Sequence, residues 1–95
     1  MSTEAAVRED AVRSVIAALL GTELDPADDG RPLGERHERY DSLGVLDAVG
    51  EIEKAFGIAV DLVDDDLRTT FVSISSITGL IRRKKADQLL LGSGF

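Results

Sequence analysis

Three runs of this chain repeat their apolar residues every three or four positions, and none alternates them. Val12, Val15, Ile16, Leu19 and Leu20 form the first, with Val7 a turn earlier. Val45, Val49, Ile52 and Phe56 form the second, and Ile74, Ile77, Leu80 and Ile81 the third. That spacing gathers apolar side chains into one stripe of an α-helix; a half-buried strand would need a period of two. A helix with one apolar stripe must cover it against another helix. The pattern therefore predicts an all-α fold, a small four-helix bundle of three main helices and one short one, with a long loop between helices one and two.

The punctuation sets expected bounds. Helix one is expected from Ser2 to Leu20, capped by Ser2 or Thr3, favoured by Glu4 at its positive end and stopped by Gly21. Helix two is expected from Ser42 to Phe56, stopped by Gly57. Ile58 to Leu62 reads as extended, Asp64-Asp65-Asp66-Leu67 as a short helical turn, and Ser73 as the cap of the last helix. Arg82 to Lys85 would complement the negative end of that helix. Asp87 to Phe95 shows no clear cap or period and reads as a flexible tail, so the domain is expected to span residues 1–86 and the tail residues 87–95.

Thr22 to Asp41 is rich in Pro, Gly and charge and reads as a loop. Connections of about twenty residues are usually functional or mobile. Leu24 and Leu33 are expected to pin it to the core.

Composition limits the chemistry. With 95 residues the chain makes one domain, with little depth for an enclosed cleft. There is no cysteine, hence no disulfide and no thiolate metal site. Met1 to Arg8 lacks the apolar core of a signal peptide, and no apolar run reaches the ~20 residues of a membrane span. A cytoplasmic monomer without membrane contact is the expectation. The net charge of −7 repels phosphate backbones, which argues against nucleic acid, and would attract proteins with basic patches.

Asp41-Ser42-Leu43 stands where the polar loop meets helix two. A serine there can cap the helix by accepting a first-turn N–H. It also offers an exposed hydroxyl on a rigid element, to which something could be attached. The helical wheel bears on the choice. At ~100° per residue from Leu43, the residues Val45, Val49, Ile52 and Phe56 fall between about 180° and 240°, with Leu46 and Ala48 flanking them. Leu43 lies opposite, beside Asp47, Gly50 and Lys54. It is either one of the lone surface leucines that all proteins carry or part of a functional face.

Other chemistries fit worse. Ser42, His37 and Asp41 are the residue types of a hydrolytic triad, but no Gly-x-Ser-x-Gly elbow surrounds the serine. Asp61, Asp64, Asp65 and Asp66 fail as a calcium loop: Val63 stands at position three, Asp66 where glycine is needed and Val72 where glutamate is needed. No phosphate-cradling glycine loop is present. Arg82 to Lys85 is a short basic run on an acidic protein. Neither catalytic nor metal-ligating residues are expected.

Asp41-Ser42-Leu43, then Gly44-Val45-Leu46-Asp47, then Glu51-Ile52-Glu53-Lys54-Ala55-Phe56-Gly57-Ile58, resembles the acyl carrier proteins. Phe71 to Ile81 is similar to the segment leading into the last helix of freestanding carriers from polyketide and nonribosomal-peptide pathways. The resemblance covers about residues 33–83. It implies that Ser42 is esterified with 4′-phosphopantetheine, taken from coenzyme A by a phosphopantetheinyl transferase with magnesium. The arm's thiol would hold a cargo as a thioester for loading and downstream enzymes, and the carrier would not itself be an enzyme. Asp41, Leu43, Asp47 and Glu51 would belong to the face that partners touch. The competing reading is a small helical interaction module in which Ser42 is only an N-cap. Some positions depart from the family pattern: Gly50 replaces a larger side chain, Lys54 interrupts the acidic face of fatty-acid carriers, and the Gly-Gly-x-Ser signature of modular peptidyl carriers is missing. A specialised pathway is therefore expected over fatty-acid synthesis.

Overall fold

The computed structural model describes residues 7–93, and side chains as far as Leu89. It is all-helical among them: α1 (Glu9–Leu20), α2 (Leu33–Arg36), α3 (Ser42–Phe56), α4 (Leu67–Thr70) and α5 (Ile74–Ser93). Three long helices make the bundle as expected. The count of short ones differs, because the first connection holds α2 and a single 3-10 turn at Pro26–Asp28.

α1 packs on both α3 and α5, and α4 leans on α5. The shared core takes Val12, Ile16 and Leu20 from α1, Ala48, Val49 and Ile52 from α3, and Ile74, Ile77, Leu80 and Ile81 from α5. Leu33, Tyr40, Ile58 and Phe71 close it from the connections. Burying each such aliphatic side chain is worth about 1.5–3 kcal/mol. Leu46, placed by the wheel at the flank of the stripe, is instead half exposed.

Helix directions follow from the ties at their ends. Arg82 donates from Nε to the Val7 carbonyl at 2.8 Å and pairs with Glu9 at 3.5 Å, which sets the start of α1 beside the middle of α5, while Arg13 is tied through Asp29 to Ser75 at the start of α5, so α1 runs against it. The Tyr40 hydroxyl, just before α3, donates to the Phe71 carbonyl, just before α5, and Gln88 Nε2 donates to the Gly57 carbonyl, at the end of α3, at 2.9 Å. α3 therefore runs in the same direction as α5.

Several bounds differ from the sequence expectation. α1 starts at Glu9, after Arg8, which makes no side-chain cap; Glu9 and Asp10 supply the acidic first turn. Ser2, Thr3 and Glu4, expected at the helix start, lie outside the described residues. Gly21 does stop α1, in the left-handed region at φ 70°. The cation run Arg82–Lys85 does not end α5. The helix continues to Ser93, so the backbone of 87–93, read as tail, is helical; residues 94 and 95 lie outside the described residues. Two of the four cations are spent on structure, Arg82 as above and Lys84 on Asp65 at 2.8 Å.

The expected cap at Ser73 is a reciprocal one. Ser73 Oγ accepts the Ser76 N–H at 3.1 Å while Ser76 Oγ accepts the Ser73 N–H at 3.0 Å. Two orphan donors of the helix start are satisfied at once.

The first connection is ordered by polar ties. Arg13 Nε donates to both carboxylate oxygens of Asp29, at 2.8 and 3.1 Å, and the Asp29 carbonyl accepts the Ser75 N–H at 2.9 Å. Asp28 pairs with Arg36 at 2.9 Å. Leu33 is buried and Leu24 packs on the core, as expected; Tyr40 is buried too.

Candidate functional site

α3 starts at Ser42, but Ser42 does not cap it. The cap is Asp41, extended at φ −95° and ψ −164°, whose Oδ1 accepts the Gly44 N–H at 2.9 Å. Asp and Ser are comparable caps, and here the carboxylate occupies the position that the sequence assigns to the hydroxyl. Ser42 becomes the first residue inside the helix. It is exposed, and its hydroxyl takes part in no hydrogen bond among the described residues.

The turn before it is fixed from below. The Tyr40 hydroxyl donates to the Phe71 carbonyl, and both residues are buried. Burial pushes the Tyr40 phenol above its ordinary value. One position further, a Cβ on Gly44 would overlap the Arg39 carbonyl oxygen. Glycine at that place lets the first turn of α3 close on the chain that precedes it. The sequence alone assigns neither residue this role. The readable signal was a glycine three residues into a helix, which costs the helix about 1 kcal/mol relative to alanine.

The outer face of α3 carries Leu43, 72% exposed, with Leu46 and Asp47 one turn on and Gly50 after them. The structure thus brings Leu43 and Asp47 together beside Ser42. Glu51 stands further round and pairs with Lys54 at 3.6 Å. Gly50 has open space where a Cβ would be.

Two hollows lie near this end. One is a groove of about 340 Å³ with Val45, Leu67, Phe71 and Val72 on its walls. Val45 is three residues from Ser42, so the groove starts within one turn of the hydroxyl. The other, about 210 Å³, is floored by Leu24, Leu33 and Ile74 beneath the first connection, with His37 at its rim. Of the charges around it, Asp28 pairs with Arg36 and Asp29 with Arg13.

The triad types are not assembled. His37 makes no side-chain hydrogen bond to Ser42, and the Asp41 carboxylate is turned to the helix start. Three of the four aspartates after α3 serve the backbone. Asp61 Oδ1 accepts from Val63 and Asp64 N–H groups, Asp65 Oδ2 from Asp61, and Asp66 Oδ1 from Arg68. Those bonds hold the Asp61 carboxyl below its usual range; the Lys84 ammonium does so first for Asp65. No group of three or more histidine, cysteine or acidic side chains among the described residues is placed to hold a metal. No described helix is long and apolar enough to cross a membrane.

No protein-family model matches the chain, and neither a curated protein nor a solved structure is significantly similar to it.

Proposed function

We propose that the chain is a discrete acyl or aminoacyl carrier that holds biosynthetic intermediates on a 4′-phosphopantetheine arm attached to Ser42. The observation that carries this reading is the division of labour at the start of α3. Asp41 does the capping, so the Ser42 hydroxyl is spare, exposed and mounted on a fixed backbone.

The residues suit the group. Attachment needs an accessible hydroxyl and tolerance for the negative charge of a phosphodiester. Ser42 offers the first, and the positive end of α3, with the Ser42 and Leu43 N–H groups lacking intrahelical partners, favours the second. In the transfer, Ser42 Oγ forms the new P–O bond, its proton leaves, and the pyrophosphate P–O bond of coenzyme A breaks to release the adenosine bisphosphate. Bound there, the arm supplies a thiol that carries cargo as a thioester. The groove beside Val45 and Leu67 offers an apolar cargo partial cover from water.

Leu43 and Asp47 then form the face presented to a phosphopantetheinyl transferase and to loading and downstream enzymes. An apolar side chain with a carboxylate beside it matches partners that offer an apolar contact within basic surroundings, and the net charge of −7 speeds their approach. Glu51, neutralised in part by Lys54, contributes less. In this reading the protein itself catalyses nothing and works in the cytoplasm, in a specialised pathway.

The test is coexpression with a broad-specificity phosphopantetheinyl transferase, followed by intact mass. A gain of one phosphopantetheine, absent from Ser42→Ala, is expected. No gain with several transferases overturns the reading.

A further inference from the structure

The connection between α3 and α4 carries a second exposed apolar feature, on which the reading of Ser42 does not depend. Leu62 and Val63, adjacent in sequence, are 60% and 89% exposed.

The backbone beneath them is tightly held. Asp65 N–H donates to the Asp61 carbonyl and Asp61 N–H to Asp65 Oδ2, both at 2.8 Å. Asp61 Oδ1 takes the Val63 and Asp64 N–H groups, and Lys84 ties Asp65 to α5. The Asp61, Val63, Asp64 and Asp65 N–H groups are thus engaged within the turn, and its two apolar side chains are left in water. Holding a contact in place beforehand removes part of the ordering cost of association.

Charge narrows the partner. Asp61, Asp64 and Asp66 flank the tip with exposed carboxylates; Arg68 offsets only Asp66, at 3.4 Å, and the Lys84 charge is used on Asp65. A second copy would bring the same carboxylates and a net charge of −7, and anionic lipid would be repelled as well. Position separates the tip from Ser42. The turn is tied to α5 at Lys84, ten residues or about 15 Å along the helix from Ile74, whose end adjoins the Tyr40–Phe71 tie.

We propose that Leu62 and Val63 form a docking knob for another protein, one offering an apolar pocket with lysine or arginine at its rim, which is held at the end of the molecule away from Ser42.

The probe is a synthetic 18-residue amphipathic helix of leucine and lysine, titrated into the isotope-labelled full chain and followed by NMR. The expected result is the largest shift changes at residues 61–66. Leu62→Ser/Val63→Ser should weaken binding at least tenfold, and Leu43→Ser/Leu46→Ser less than twofold. A leucine–glutamate peptide should not bind. Changes centred on residues 43–47, equal weakening by both variants, or no weakening by the first would overturn the proposal. So would binding to phosphatidylcholine vesicles that Leu62→Ser/Val63→Ser abolishes, which would assign the tip to lipid. Val63→Ser alone keeps the measurement open should the double variant unfold. Ser42 modification, read by mass in the same variants, is expected to be unchanged and reports separately on the carrier reading.

Discussion

Asp41 caps the helix that Ser42 begins, so two neighbouring residues that could each have done the same work do different work. Removing the carboxylate leaves the Gly44 N–H without its partner, and Asp41→Ala is expected to lose about 1 kcal/mol of stability. Ser42→Ala, which breaks no hydrogen bond, should stay within about 0.5 kcal/mol of the parent. Urea denaturation of the two variants measures both; equal losses would show that the hydroxyl also serves the fold.

Two glycines of α3 should respond in opposite directions. A methyl group at Gly44 meets the Arg39 carbonyl and forces the backbone apart, so Gly44→Ala is expected to destabilise by about 1–3 kcal/mol. At Gly50 the space is open, and Gly50→Ala is expected to stabilise by up to about 1 kcal/mol through helix propensity. Thermal midpoints of both variants check the pair.

The Tyr40 phenol is raised above its ordinary value by burial, so the protonated ring belongs to the folded state. Its contribution is complete below about pH 10, where the unfolded chain ionises, and is lost as pH rises towards the folded value. Tyr40→Phe leaves the Phe71 carbonyl unpaired and should cost about 1–3 kcal/mol at neutral pH. It should also lose less stability than the parent between pH 9 and 11. Denaturant midpoints across that range give both effects.

The Asp65 carboxyl is held low, first by Lys84. A depressed carboxyl contributes stability above the unfolded value of about 3.9, and the contribution disappears as pH falls through the folded value. Lys84→Met should therefore lower stability at pH 7 and flatten the acid limb of the stability curve. An unchanged acid limb would show that the pair contributes little.

If Leu43 and Asp47 face the transferase, Leu43→Ala and Asp47→Lys should each slow arm transfer about tenfold, or about 1.4 kcal/mol. Thermal midpoints should hardly move, because both side chains are exposed. Transfer kinetics under subsaturating coenzyme A report the change.

The long helices were legible where the apolar period is strong and a glycine ends it, as at Gly21 and Gly57. α2 escaped because four residues are too few for a period to show. The end of α5 escaped for another reason: residues 86–89 are exposed, so no apolar stripe marks them, yet nothing breaks the helix before Gly92. The exposure of Leu43 followed from the wheel. The choice of Asp41 over Ser42 did not, since neighbouring residues of similar capping strength are separated only by backbone angles. The role of Tyr40 was not legible because its acceptor lies 31 residues away in the chain.

Asp29 grips α1 through its side chain and α5 through its carbonyl, in a chain without cysteine. It acts as a non-covalent staple, closing a 16-residue loop back to Arg13 and a longer one forward to Ser75. Unlike a disulfide, such a staple opens and recloses with thermal motion and needs no change of redox state. The connection that leads to Ser42 is thus held to α1 and α5 by reversible polar contacts, beside the buried Leu33 and Tyr40 that join it to the core.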